Sequence, residues 1–514
     1  MSSIPEKNEA LAQAEHADCL IIDGDSKESN IQIERGMLLS GLPDPDEGKG
    51  EEARKTIDKK LMWKVDLWIV PWLSLLYLLS FLDRANIGNA RLAGMEEDLE
   101  MSGTQYNISL TIFFISYALF EPITNTLLKI LTPRIFFTAI ILAWGTIMTL
   151  MGLVTSYRGL LAARFMLGVA EAGLFPGVTY YLSCWYKSSE IGARTAVFFS
   201  AAAIAGSFGG LLAAAISKMD GIGGKPGWAW IFILEGLVTA LAGVASWWMV
   251  HDWPETARFL TNEDRIRVQR RLILDRQGRT AEDFDKRHIY EALKDWKTYG
   301  YMVIYMGCLV PLYAFSLFLP TIVRGMGYKG THAQLLTVPP YVFAAVVTVS
   351  VGFFADRTRW RGYCNMVTAT IGAIGFALLL STSNIHVQYA GTFLGAAGIY
   401  PTIPNTLSWV SNNTEGSLKR AVVLGMVVGW GNLTGMVSSN IYLQSQRPRY
   451  WTGHGVVLAF QVLFLLGGSV LMHVALRKEN MKRRSGLRNN AHDGLSEEEK
   501  WIKGDKRPDF FYTT

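Results

Sequence analysis

Residues 135–154 read IFFTAIILAWGTIMTLMGLV, twenty consecutive positions without a charge. At 1.5 Å rise per residue such a helix is about 30 Å long, the thickness of a bilayer's hydrocarbon core. Gly455–Leu476 likewise contains no Asp, Glu, Lys or Arg. Working outward from these two, apolar stretches of similar length recur at 67–90, 106–128, 159–185, 195–217, 228–250, 299–322, 333–355, 363–382, 386–409 and 421–442. The whole chain agrees, with 50% hydrophobic residues, 18% charged and a mean hydropathy of +0.19 over 514 residues, a balance too apolar for a soluble chain. The predicted fold is an all-α membrane protein of twelve transmembrane helices.

The polar segments divide the chain. Residues 1–60 are acidic and lack apolar periodicity, and so read as a disordered tail. Residues 61–250 carry six spans, 251–298 form a central loop with 11 Lys and Arg against 10 Asp and Glu, 299–476 carry six more spans, and 477–514 are a second tail. Lys and Arg gather before the first span, at Lys129, Arg134, Lys187 and Arg194, in the central loop, at Arg357, Arg359, Arg361, Lys419 and Arg420, and after the last span. By the positive-inside rule that side is the cytoplasm, which predicts a multi-pass protein with both tails inside. Only the close pair Arg447 and Arg449 leans the other way. No apolar run precedes residue 61, so insertion is expected to start at the first span rather than at a cleaved signal.

Other function classes find no support in the chain. A net charge of +5 does not suggest nucleic-acid binding, and four scattered cysteines without a C-x-x-C pair suggest neither disulfide framework nor metal site. No G-x-S-x-G, H-E-x-x-H or Walker A run is present; Gly224-Lys225 is followed by Pro226 where Ser or Thr is needed. An enzyme, a metal and a bound cofactor are therefore not expected.

The two sets of six spans echo each other. Gly173-Leu174-Phe175-Pro176 before Leu182-Ser183 matches Gly398-Ile399-Tyr400-Pro401 before Leu407-Ser408, at an offset of 225 residues (173 to 398, 183 to 408). The same offset pairs Arg194 with Lys419, Gly206 with Gly431 and Gly210 with Gly435. A duplicated pair of six-helix halves places a cleft near the midplane that rocking opens to either side. The G-x-x-x-G pairs predict close helix packing, and Pro176, Pro401 and Pro404 free carbonyls where they line protein or a wet cavity.

Charge inside a bilayer costs roughly 2.5–3.5 kcal/mol per group unless paired or hydrated, so intramembrane charges are the sharpest functional signal. Asp83, Arg84, Glu121, Arg164, Glu171 and Glu235 all fall in the first half, and no charge lies within a second-half span. Arg164 and Glu171 are two helical turns apart and share a face. Glu171 sits mid-span, where burial disfavours its ionised form unless a cation is close. Beside Arg84 or Arg164 it suits proton-coupled movement of an anion, against the plainer reading of a buried pair locking helices one and four. Glu121 and Glu235 read as packing charges. The second half offers neutral polar partners, Tyr400, Asn405, Asn432 and Asn440. After span eight, Gly352-x-x-x-Asp356-Arg357 continues to Arg359 and Arg361, and acid and base there can pair across the loop and with a helix end, holding one conformation shut.

That G-x-x-x-D-R run resembles the loop motif of the major facilitator superfamily; its first-half counterpart, Asn125 to Lys129 and Arg134, is degenerate. Leu82-Asp83-Arg84-Ala85-Asn86-Ile87-Gly88-Asn89-Ala90 resembles the signature of the anion:cation symporter family. So do Arg164-Phe165 through Glu171-Ala172-Gly173-Leu174-Phe175-Pro176-Gly177, Trp230 through Gly236, and Leu336-Thr337-Val338-Pro339-Pro340-Tyr341. The likeness covers 61–476 and is nearest to fungal permeases for nicotinic acid, allantoate and pantothenate, the nicotinic-acid type first.

The resemblance implies a major facilitator fold and import of a small carboxylate with the proton as coupling ion. Substrate contact would fall to Arg84, Arg164, Tyr400, Asn405 and Asn432, proton coupling to Asp83 and Glu171, and gating to Gly352, Asp356 and Arg357. The expected setting is a monomer in a lipid bilayer, the plasma membrane favoured. Efflux of an organic-acid metabolite and a non-transporting nutrient sensor are the alternatives.

Overall fold

The computed structural model describes residues 42–187, 190–275, 286–328, 330–487, 504–507 and 510–514. The sequence readings of 1–41, 276–285 and 488–503 fall outside the described residues. Among the described residues there is no strand, and twelve long helical segments account for the twelve expected spans. They are α1 (Glu51–Leu92), α2 (Gly103–Ile130), α3 (Pro133–Met151), α4 (Tyr157–Ser183), α5 (Ile191–Ile216), α6 (Gly227–Met249), α7 (Trp296–Gly325), α8 (Val338–Thr358), α9 (Arg361–Ser381), α10 (Ile385–Ile399 continued by Thr402–Asn412), α11 (Ser417–Leu433 continued by Gly435–Asn440) and α12 (Trp451–Arg484). Ten of them are long and apolar enough to cross a membrane by length and composition alone. The other two are α2, with 28 residues, and the broken α10.

The breaks fall where the repeated motif sits. Helical pairing in α4 lapses between Glu171 and Leu174, and in α10 between Ile399 and Thr402, next to the motif's proline in each half. Proline lacks the N–H that would continue the ladder, so each irregularity is local, and the two fall within the same motif about one turn apart in register.

One boundary differs from the sequence reading. Residues 51–60, expected in a disordered tail, are the first turns of α1. Glu51 and Glu52 suit the positive end of a helix dipole, and Lys55 pairs with Glu51 one turn away at 2.7 Å. The extension is then pinned to the central segment's helix Asn262–Asp275: Lys64 meets Asp264 at 3.0 Å, and Asp46, just ahead of α1, takes both arms of Arg267 at 2.9 and 3.0 Å. These contacts put the start of α1 and the central segment on one face of the molecule, called here the tail face.

The duplication is visible in the packing. Within the first half α1 packs on α5, α2 on α4, and α3 on α6; in the second half α7 packs on α11, α8 on α10, and α9 on α12. Large apolar side chains point outward from this bundle, among them Leu241 at 68% exposure and Leu471 at 74%, as a lipid-facing belt requires.

The halves meet along α5–α8 and along α2–α11, again related by the repeat, with α1 against α7 between them. Glycine permits the approach. A Cβ on Gly206 would lie 2.6 Å from the Tyr341 ring, and one on Gly210 only 2.7 Å from the backbone oxygen of Gln334. The second-half partner Gly435 is pressed against the Phe114 ring of α2. At Gly206, Gly210 and Gly435 the expected G-x-x-x-G packing therefore runs between the halves, while Gly431 packs on Tyr305 of α7 within the second half. Gly210→Val should overpack this seam, a change that costs about 1–3 kcal/mol, and should lower the unfolding temperature in detergent. Gly425→Ala, whose new Cβ meets nothing within 4 Å, should leave that temperature unchanged in the same measurement.

Candidate functional site: a guanidinium between the halves

Arg84 of α1 and Glu171 of α4 are each almost fully buried, at 6% and 0% exposure, and lie 2.6 Å apart, Nη2 to Oε1. Ser80, one turn before Arg84, donates to the same carboxylate oxygen, while Oε2 finds no hydrogen-bond partner among the described residues. The Arg84 guanidinium is ringed by Phe81, Phe113, Tyr117 and Tyr313, with ring centres 5.1 to 5.7 Å away. A cation in that setting is held by ring quadrupoles as well as by its carboxylate.

The pair is wired to the second half. Arg84 Nη1 donates to the Tyr313 hydroxyl of α7 at 3.3 Å, and that hydroxyl donates to Asn432 Oδ1 of α11 at 2.7 Å. Asn432 Nδ2 in turn donates to Glu121 Oε2 of α2 at 3.1 Å. One continuous chain thus runs from Ser80 through Glu171, Arg84, Tyr313 and Asn432 to Glu121, crossing from the first half to the second and back. Beside it lies a cavity lined by Arg84, Ser80, Tyr117 and Phe175 from one half and by Tyr305 and Asn432 from the other. Phe175 enters this wall from the first turn after the break in α4, which turns part of the repeated motif into cavity lining. The cavity measures about 20 Å³, room for about one water, so an organic molecule enters only once the halves part.

The remaining residues singled out from the sequence lie elsewhere. Arg164 does not reach Glu171: its Nε donates to the backbone oxygen of Ser109 at 3.3 Å, and its guanidinium sits over Phe113 at 4.9 Å. Asp83, the neighbour of Arg84, points the other way, as successive helix positions must. It accepts from Trp144 of α3 at 2.8 Å and from Thr239 of α6 at 3.0 Å, outside the cavity. Glu235 accepts from Asn86, joining α6 to α1 in the packing role expected of it. Tyr400 is buried edge-on to Tyr341 at 5.9 Å, away from the cavity. Asn405 of α10 donates to Asn365 at 2.7 Å and to the backbone oxygen of Arg361 at 2.8 Å, which ties it to the start of α9, and it does not line the cavity.

At that loop the expected acid–base contact exists with a different base. Asp356 pairs with Arg361, while Arg357 is exposed. α8 ends at Thr358 and Arg359 adopts a left-handed conformation (φ 62°), which turns the chain back so that Arg361 at the start of α9 faces Asp356. Asn405 accepts from Arg361 Nη1 at 3.2 Å. The pair sits over Gly192 at the start of α5, where a Cβ would lie 2.6 Å from Asp356 Oδ1, and a Cβ on Gly352 would lie 2.5 Å from that of Ala196. The tail-face ends of α5 and α8 are therefore in contact here.

Tyr313 and Ser80 were not singled out from the sequence, and Glu121 was read as packing alone. A tyrosine or serine inside an apolar helix carries no signal until its partner is known. The intramembrane Glu121 did carry one.

Comparison with known proteins agrees with this architecture. The Major Facilitator Superfamily profile matches residues 73–474. The chain is 40% identical over 445 residues to the MFS-type transporter cnsO of Penicillium expansum, covering 84% of this chain and 85% of that one. It is 31% identical over 495 residues to the high-affinity nicotinic acid transporter of Saccharomyces cerevisiae, covering 95% and 90%. Among solved structures it resembles a D-xylose–proton symporter, with a TM-score of 0.58 at 14% identity over 78% of this chain and 97% of that one, a likeness of fold. The twelve helices in two related halves, and the profile match across nearly all of them, make this chain a member of the Major Facilitator Superfamily, a multi-pass membrane transporter of small molecules rather than an enzyme.

Proposed function

We propose that this transporter moves a small aromatic carboxylate of the nicotinate type, coupled to protons, by alternating access about the cavity at Arg84. The observation that carries the reading is the Arg84–Glu171 pair, buried between the halves in an aromatic wall. Arginine presents a planar fork that grips a carboxylate with two bonds, and the surrounding rings offer faces to a flat substrate. Glu171 already occupies one arm of that fork. A substrate carboxylate must compete with it, and a proton on Glu171 removes the competitor. Proton uptake and anion binding then favour each other, as symport requires. The 31% identity to a nicotinic acid transporter supports the substrate class.

Closure around the anion would pull on Tyr313 and Asn432 through Arg84, which ties occupancy to the approach of α7 and α11. Asp356 and Arg361 would hold the tail face shut. With Lys and Arg concentrated there, that face is assigned to the cytoplasm and the plasma membrane is the favoured site.

Vesicles loaded with the protein and given labelled nicotinate test this. Glu171→Gln should abolish accumulation under an inward proton gradient while keeping counterflow without one, since exchange needs no net proton release. Accumulation retained in that variant would place the coupling carboxyl elsewhere. Arg84→Lys should lower uptake roughly tenfold or more, because a point charge replaces the fork.

The gate assignment is tested in the same vesicles. Arg361→Ala should slow transport severalfold, while Arg357→Ala should stay within about twofold of the parent, as an exposed surface charge contributes little. The reverse order would move the gate back to Arg357.

A further inference from the structure

The C-terminal segment makes a second buried charge cluster, far from Arg84. Asp505 has 0% exposure and is held between two lysines of the second half: it pairs with Lys297 at the start of α7, and its Oδ1 lies 2.6 Å from Lys419 at the start of α11. Asp295 completes the cluster at 3.1 Å from Lys419. Burial alone would raise the Asp505 carboxyl, but Lys297 and Lys419 outweigh it and hold it below the usual carboxylate range, so it stays ionised. The Tyr512 hydroxyl accepts from Lys297 at 2.8 Å and from Arg483 of α12 at 3.1 Å. The backbone oxygen of Thr513 accepts from Trp409 and from Asn413, both at 2.8 Å, and its N–H donates to Asn413 Oδ1 at 2.7 Å. All of these partners belong to the second half or to the residues leading into it.

This docked segment reaches the gate. Trp409 and Asn413 lie one and two turns beyond Asn405, the residue that seats Arg361 from two sides. A Cβ on Gly362, next to Arg361, would lie 3.1 Å from the Trp409 ring and 3.3 Å from the carbonyl carbon of Thr514. The tail end is packed against the first turn of α9.

We propose that the tail-face surface formed by Lys297, Lys419, Arg483, Trp409 and Asn413 is a docking site whose occupant is residues 504–507 and 510–514 of this chain, and that these residues form a detachable clasp on the Asp356–Arg361 gate. Its key is one carboxylate between two buried lysines. When seated, it binds the ends of α7, α9, α10, α11 and α12 into one body; released, it leaves Arg361 loosely held. The clasp does not depend on which anion is carried or on whether protons drive it.

Amide hydrogen exchange on the full-length protein in lipid nanodiscs tests this. Asp505→Asn keeps the shape of the key and removes its charge. It should raise exchange at 510–514 at least tenfold and at 361–368 and 405–413 severalfold, with 135–151 unchanged. Tyr512→Phe, a milder change, should move the same segments in the same direction by a smaller factor, and gives the reading if Asp505→Asn does not fold. A synthetic peptide of residues 504–514 added to the Asp505→Asn protein should restore protection at 405–413, and the same peptide with Asn at position 505 should not. Continued protection of 510–514 in both variants would show that Asp505 and Tyr512 are not the catch. Release of 510–514 without any change at 361–368 and 405–413 would show that the tail rides on the gate without holding it.

Discussion

A guanidinium cannot rest alone at the centre of a membrane protein, and much of this architecture answers the presence of Arg84. Its charge needs a counter-ion, which Glu171 supplies from α4, and low-polarity neighbours that still favour a cation, which four aromatic rings supply from three helices. Taking one partner from a buried pair of this kind costs roughly 3–5 kcal/mol, because the other charge is left uncompensated. In the function proposed, a substrate carboxylate or a proton reaching either member would change a balance of several kcal/mol, comparable with the roughly 5.5 kcal/mol that carries a two-state equilibrium from 1:99 to 99:1.

What lets the halves respond is that the seams between them are made of small residues and few polar bonds. Along α5–α8 contact is backbone against ring or backbone against backbone, secured by Ser207 donating to the Val338 oxygen at 3.3 Å. Along α2–α11 the polar links are Asn440 to Thr111 at 2.9 Å and Asn432 to Glu121. Closely fitted but sparsely bonded surfaces part at little cost in unsatisfied donors. The tail face of each half, in contrast, is laced by ion pairs such as Arg194 with Asp66 at 2.7 Å and Lys419 with Asp505, which stay within one half. Strong bonds inside each body and weak ones between bodies are what rigid rocking demands.

Much of this could be read from the chain because the bilayer writes plainly. Twelve apolar runs, the 225-residue echo and the pairing of Gly206 with Gly431 follow from hydropathy and spacing, and the structure repeats that offset in its helix pairs. Arg84 and Glu171 stood out because charge in such runs is rare. Which arginine Glu171 takes was left open between Arg84 and Arg164: Arg164, seven residues back along α4, shares a helix face with Glu171 by spacing, yet its guanidinium sits over the Phe113 ring of α2. Asp356 was legible, but its partner was not, since a left-handed residue at Arg359 decides which arginine comes round to it. Asn405 stood out because polarity inside a span is visible in sequence, whereas the depth along the helix that sets it beside Arg361 is not. Asp505 and Lys297 are some 200 residues apart, beyond any periodicity.

The Phe113 ring serves two cations, with the Arg84 guanidinium 5.1 Å from its centre and that of Arg164 4.9 Å. Its quadrupole attracts both, which offsets part of the repulsion between two like charges held in a medium of low polarity. Most phenylalanines in a helix bundle are spacers, replaceable by leucine at the cost of some packing. This one is an electrostatic element, and an aliphatic residue of similar bulk would fill its volume while removing an attraction shared by the two arginines.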